Sequence, residues 1–337
     1  MNSLVLVIGS AIMYVVAYNT YGRFLGKKIF KLTKDNICPS EELRDDHDYV
    51  PTHPQVLFGH HFASIAGTGP IVGPAIAIIW GWLPALLWIV FGSIFMGAVH
   101  DLGSLVVSLR NKGRSIGDIA GDLISPRVRT LFLLIIFFLL LLVVAVFGVV
   151  IGLCFKLYPQ SVIPVWSQIP IAVALGYLVY KKNMSVLVLG AIAVLLMYGS
   201  IILGAYFPLS MPAIKSGSKV ILNPISIWIV ILLIYVYIAS ILPVQTLLQP
   251  RDFINSHQLV VGLGLLFLGL FVAHPNFDAP AIRASSEGAP PIFPVLFVTV
   301  ASGAISGFHG LVSSGTTSKQ LDKMSDARAI GYGSMLG

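Results

Sequence analysis

Nine apolar runs of roughly 17–28 residues divide this 337-residue chain, at about 3–21, 61–80, 83–109, 130–155, 162–180, 184–206, 225–248, 257–273 and 292–312. About 20 helical residues cross a bilayer core of ~30 Å. The runs therefore predict an all-α polytopic membrane protein with about nine transmembrane helices. Composition agrees, since 56% of residues are hydrophobic and 10% charged, against about 25% charged in an average soluble domain. The first run lacks the basic leader of a signal peptide and reads as a retained helix. Cys38 and Cys154 fall on opposite faces of the predicted topology, so no disulfide is expected.

The net charge of +7 would suit a polyanion, but the basic residues cluster at the ends of the apolar runs. Taken by alternate loops, 17 of the 21 Lys and Arg lie on one side and 4 on the other. Cytoplasmic loops carry the excess of positive charge. The expected topology thus places the N-terminus outside and the C-terminus of this chain inside, with a lipid bilayer and not nucleic acid as the surroundings. The longest cytoplasmic loop, 22–60, is expected to be partly ordered. The loop 110–129 is expected to hold a short interfacial helix capped by Ser115 ahead of Asp118.

One run is interrupted. Gly67, Gly69, Pro70, Gly73 and Pro74 crowd the middle of the second. Proline removes a backbone donor and clashes one turn back, and broken backbone survives in a membrane only where it lines protein or a wet cavity. At 1.5 Å per residue from His60, Gly67 lies about 10 Å and Pro74 about 21 Å along, around mid-depth. A kinked structural helix is the plainer alternative. The seventh run carries its own breaker at Ala239-Ser240-Ile241-Leu242-Pro243. Two broken spans in opposite orientation suggest inverted five-helix repeats. The resulting division is an extra N-terminal helix at 1–22, a cytoplasmic loop at 23–60, a first repeat at 61–206, and a partial second repeat of three helices at 207–337. The chain is therefore expected to be C-terminally truncated.

Several stretches resemble the carbon starvation protein A family of bacterial inner-membrane transporters. They are Tyr21-Gly22-Arg23-Phe24-Leu25, Asp48-Tyr49-Val50-Pro51-Thr52, Phe58-Gly59-His60-His61-Phe62-Ala63-Ser64-Ile65-Ala66-Gly67 and Gly69-Pro70-Ile71-Val72-Gly73-Pro74. Leu247-Leu248-Gln249-Pro250-Arg251-Asp252 and Ser306-Gly307-Phe308-His309-Gly310 through Ser314-Gly315-Thr316-Thr317 continue the match. The resemblance implies proton-coupled import of pyruvate or small peptides when carbon runs short. It also implies a five-plus-five broken-helix, LeuT/APC-like fold and full-length members longer than this chain.

The residues themselves offer candidates. The break presents backbone N–H groups, and a half-helix beginning near Gly73 aims its positive end at the membrane middle, where a carboxylate can be held. Ser64, Gly67, Thr68, Gly69 and Gly73 are the expected substrate-binding positions there, joined by Ser240 at the second breaker and by Ser302 and Ser306 in the ninth span. His60 and His61 open the broken span and can relay protons; interfacial hydrogen bonding and closure of an inner gate are alternatives. His309 shares a predicted helical face with Ser302, Ser306 and Ser313, where small residues alone would read as helix glue. Asp101 is an intramembrane acid, functional by default, unless Arg110 or Arg114 neutralises it near the surface. His60, His61, Asp101 and His309 are thus the expected proton-coupling set, with Asp101 the acid nearest His309 in estimated depth and its expected partner if spans 3 and 9 touch. Arg251-Asp252 reads as a loop salt bridge.

No Walker A loop, His-Glu-x-x-His or Gly-x-Ser-x-Gly is found, so neither ATP nor an enzymatic cofactor is expected. The leading reading is a secondary transporter coupled to protons, with sodium as an alternative ion. A channel or sensor, and an intramembrane metalloenzyme using His60, His61, His309 and Asp101, are the competing readings.

Overall fold

The computed structural model describes residues 2–33, 37–182, 184–216, 219–276, 278–283, 289–305 and 307–337. Seven helical stretches are long and apolar enough to cross a membrane, and two shorter apolar helices accompany them. The chain is an all-α membrane protein apart from one short hairpin, and it divides into two compact units, Met1–Ile119 with Asn255–Gly337 and Ala120–Ile254.

The first unit opens with α1 (Ser3–Asn19), continued by α2 (Tyr21–Phe24) and a wide turn over Leu25–Ile29. A short helix, α3 (Pro39–Glu42), follows. The second span starts earlier than expected, as α4 (Pro54–Ile65). Pro54 occupies its first turn, where a missing N–H costs nothing, and the His53 ring caps Gln55. His60 and His61 therefore lie inside the helix rather than at its opening. The break falls at Ala66 and Gly67, and α5 (Thr68–Ala77) begins immediately after it, not near Gly73. Pro70 and Pro74 are both absorbed into α5.

Gly81, with φ +99°, turns the chain where its missing side chain admits the Ala281 carbonyl. The third span, α6 (Trp82–Gly92) and α7 (Ala98–Arg110), is joined through a widened turn at Ser93–Gly97. That turn leaves the Ile94 carbonyl to be taken by the hydroxyl of buried Tyr332 at 3.2 Å. As predicted, Ser115 caps α8 (Ile116–Leu123) through the Asp118 N–H.

In the second unit, α9 (Pro126–Leu157) is capped by Ser125. α10 (Val162–Tyr180) and α11 (Val186–Tyr206) form an antiparallel pair. An unpredicted hairpin, β1 (Ile214–Ser216) with β2 (Lys219–Leu222), precedes α12 (Pro224–Ser240). The seventh span does not resume after its breaker. It ends at Ser240, and α13 (Leu248–Ala273) starts a new helix that takes Arg251 and Asp252 into its first turns. Small residues set the packing: Gly152 faces Ile225 and Trp228, and Gly176 faces the Gln245 and Thr246 carbonyls. Lipid tails are as apolar as leucine, so close backbone approach supplies the association here.

The ninth span belongs to the first unit, and it too is broken. α14 (Ile292–Ala304) ends before a non-helical Ile305, and α15 (Gly307–Gly315) begins two residues later. The shared face expected for Ser302, Ser306, His309 and Ser313 is therefore interrupted; Ser306 and the Ser302 side chain lie outside the described residues. α14 packs on α5 and α15 packs on α4 and α7. The two broken spans thus lie antiparallel, half against half. Gly73 is where they touch: a Cβ there would stand 2.6 Å from the Thr299 carbonyl oxygen.

A candidate proton-handling site between two broken spans

Asp101 sits one turn into α7, fully buried. Neither arginine reaches it: Arg110 donates to the Phe30 carbonyl, and Arg114 faces Asp118. Its neighbours are imidazoles. His309 Nδ1, from α15, stands 2.7 Å from both carboxylate oxygens. His61 Nε2, from α4, stands 3.5 Å from Oδ2. His100 Nδ1, on α7 itself, is 3.3 Å from Oδ1, with its side chain 42% exposed. His61 and His309 are buried. Ser313 Oγ donates to the Asp101 backbone carbonyl at 2.9 Å and ties α15 to α7.

An unpaired carboxylate in hydrocarbon is costly. Here it accepts the Nδ1–H of His309. The other ring nitrogen of His309, Nε2, is buried with no hydrogen-bond partner among the described residues. His61 turns its other nitrogen to Thr317 Oγ1 at 3.0 Å. The carboxylate is therefore held between one imidazole from each broken span. His100 packs over Gly310, where any side chain would collide with its ring. His100, Asp101 and His309 bring donor atoms within 4.8 Å of one another, close enough to chelate an ion. Both Nδ1 atoms are nevertheless turned onto the carboxylate, as in hydrogen bonding.

The other expected residues are scattered. His60 is buried on α4 beside His61. Ser64 spends its hydroxyl on the His61 carbonyl at 2.6 Å. Gly67 is the N-cap of α5 and makes no side-chain cap bond; Thr68 and Gly69 follow as its first residues. Gly73 is a packing contact with α14. Ser240 belongs to the second unit, at the end of α12, and bonds the Tyr237 carbonyl. In that unit Arg251 does form the expected pair with Asp252, at 3.0 Å, and also reaches the Tyr235 hydroxyl at 3.3 Å. His100 and Thr317 were missed. His100 adjoins an intramembrane acid, which is the signal that marks it; nothing local marks Thr317.

The carbon starvation protein CstA family model matches residues 2–337. The chain belongs to this family. It is 36% identical to "Peptide transporter CstA" of Bacillus subtilis over 341 residues, covering 100% of this chain and 56% of that protein. It is 36% identical to "Pyruvate/proton symporter BtsT" of Escherichia coli K12, covering 99% of this chain and 47% of that one. With "Peptide transporter CstA" of the same organism it shares 34%, over 99% and 48%. The chain spans about half the length of the curated relatives it matches. No solved structure matches it. These relatives of a CstA-family chain are named as transporters and not as metalloenzymes.

Proposed function

We propose that this chain forms part of a secondary active transporter of the inner membrane that imports a small carboxylate-bearing nutrient, pyruvate or a small peptide, together with protons, when carbon is scarce. One observation carries the reading: a single buried carboxylate, Asp101, is clamped by His309 and His61, one from each broken span. A proton added to or removed from this trio changes the attraction between α15, α7 and α4. Two discontinuous helices can turn that change into alternating access. The relatives' names supply the substrate classes and the proton.

In this proposal the fold is a broken-helix, LeuT-like inverted repeat. Span 2 opens the first repeat, 61–206, and the broken span that packs against it is span 9, in the partial second repeat, 207–337. The antiparallel packing of α5 on α14 and α4 on α15 supports the pairing. The substrate carboxylate is held at the N-terminal end of α5, around Thr68 and Gly69, with Ser64 and Gly67 at the break before it; Ser302 and Ser306 are proposed to join them, though Ser306 and the Ser302 side chain lie outside the described residues. Gly73 supports that site by letting α14 approach; Ser240 belongs to the second unit. The N-terminus faces outside and the 17-to-4 charge asymmetry sets the orientation.

His309→Gln keeps size and hydrogen bonding but cannot titrate. In membrane vesicles carrying the protein, the variant is expected to exchange labelled pyruvate or a labelled dipeptide at equal pH. It is also expected to lose at least about tenfold of the accumulation driven by an inward proton gradient. Accumulation by the variant at the wild-type level, or wild-type accumulation driven by sodium alone, would refute the assignment.

A further inference from the structure

The His61 side of the carboxylate continues beyond the coupling trio. His61 comes to Asp101 from α4, as His309 does from α15. Its Nε2 lies 3.5 Å from Oδ2, just past hydrogen-bond length, while its Nδ1 is within 3.0 Å of Thr317 Oγ1. Asp101, His61 and Thr317 are all fully buried. Three further contacts fix the turn that carries Thr317. Ser318 Oγ donates to the Ser314 carbonyl at 2.8 Å, Ser108 Oγ lies 2.8 Å from Ser318 Oγ, and Thr52 N–H donates to the Gln320 carbonyl at 3.0 Å. Two residues beyond Thr317 the chain reaches the surface, where Lys319 pairs with Asp48 at 3.3 Å, their side chains 24% and 48% exposed.

We propose that His61 and the Thr317 hydroxyl form the proton's route between buried Asp101 and the face of the protein that carries the Lys319–Asp48 pair. The inference rests on the proton-coupled reading and adds its path. The steps balance as proton transfers alone. A protonated Asp101 gives its proton to His61 Nε2. The resulting imidazolium gives its Nδ1 proton to Thr317 Oγ1, and that hydroxyl, itself buried, releases its own proton to a water admitted from this face when the 317–320 turn parts from its contacts with Ser108 and Thr52. His61 is left as the other neutral tautomer, and reverse transfer or ring reorientation resets it. A hydroxyl suits the last position because it donates and accepts at once. The titratable groups that face His61 are His60 on α4, Asp101 on α7 and His309 on α15. His100 adjoins Asp101, and Lys319 with Asp48 lies beyond Thr317.

The test uses vesicles loaded with a pH-sensitive dye and supplied with labelled pyruvate or a labelled dipeptide. Thr317→Val keeps shape and removes the hydroxyl. The expected result is at least about a tenfold fall in acidification per substrate exchanged. Thr317→Ser should restore it, and Thr316→Val, one residue away, should match wild type. Unchanged acidification in Thr317→Val overturns the route. Loss that Thr317→Ser fails to rescue assigns Thr317 to structure and overturns it equally. If wild-type protein itself moves substrate without acidification, the proton-coupled reading fails, and that outcome is distinct because it appears before any substitution.

Discussion

At the scale of single residues, chemistry in this chain follows burial. Asp101 is kept in an apolar helix by imidazoles from three elements, whereas Asp48 near the surface has the looser company of Lys319 and His47. Cys38 shows the same dependence in a form that can be measured. It is fully buried between the 37–52 segment and the 317–324 segment, where Ser40 Oγ bonds the Leu321 carbonyl at 2.6 Å. Burial, and then the charges of Asp322 and Glu41, push its thiol up to about 11. Only the thiolate reacts with alkylating agents. At pH 8 roughly one Cys38 in a thousand is a thiolate, against about a quarter of ordinary cysteines near 8.5. In the Cys154→Ser background, iodoacetamide labelling of folded protein should rise about tenfold per pH unit from 7 to 10. In denaturant it should level off near 8.5. A plateau near 8.5 in the folded protein would mean that the 37–52 segment does not pack on 317–324.

At the scale of elements, the helices interrupt where backbone rather than side chain dictates. Gly73 and Gly262 test this as a pair, since both lie inside helices of the same unit. A Cβ on Gly73 meets the Thr299 carbonyl, while one on Gly262 meets nothing within 4 Å. Gly73→Ala should cost about 1–3 kcal/mol, as overpacking does, and lower the melting temperature of detergent-solubilised protein. Gly262→Ala should leave it unchanged or raise it, since alanine gains up to about 1 kcal/mol of helix propensity. An unchanged Gly73→Ala would show that α5 and α14 do not meet there.

The broken second span was legible because glycine and proline punctuate a run whose backbone has no water to fall back on. Its exact site was not. Proline at the third position of a helix is harmless, so Pro70 marked a start rather than a break. The ninth span reads as continuous because Ile305 and its glycine neighbours carry no proline, and only its packing against α5 and α7 reveals the interruption. Asp101 and His309 were recognisable as titratable groups in apolar runs, and estimated depth made them partners on the condition that spans 3 and 9 touch. That the spans do touch, and the place of Thr317, depend on contacts 208 and 256 residues apart, which no local pattern encodes.

At the scale of the whole molecule, the alternating loop charges make a claim about sidedness. Cysteines placed at Lys112, Lys182 and Lys323 should react with an impermeant maleimide only from the cytoplasmic side. Those placed at Lys215 and Arg283 should react only from outside. Labelling of positions 182 and 215 from one side would remove a span between them and break the predicted topology.

The separation of Asp101 from His309 also has a consequence in time. Ribosomes add about 5–20 residues per second, so the 208 residues between these partners take roughly 10–40 s to make. For that interval α7 has delivered its acid to the bilayer with only His61 and His100 to receive it. The early spans must therefore wait in a state less settled than their final one. The arrival of α15 is the event that locks them.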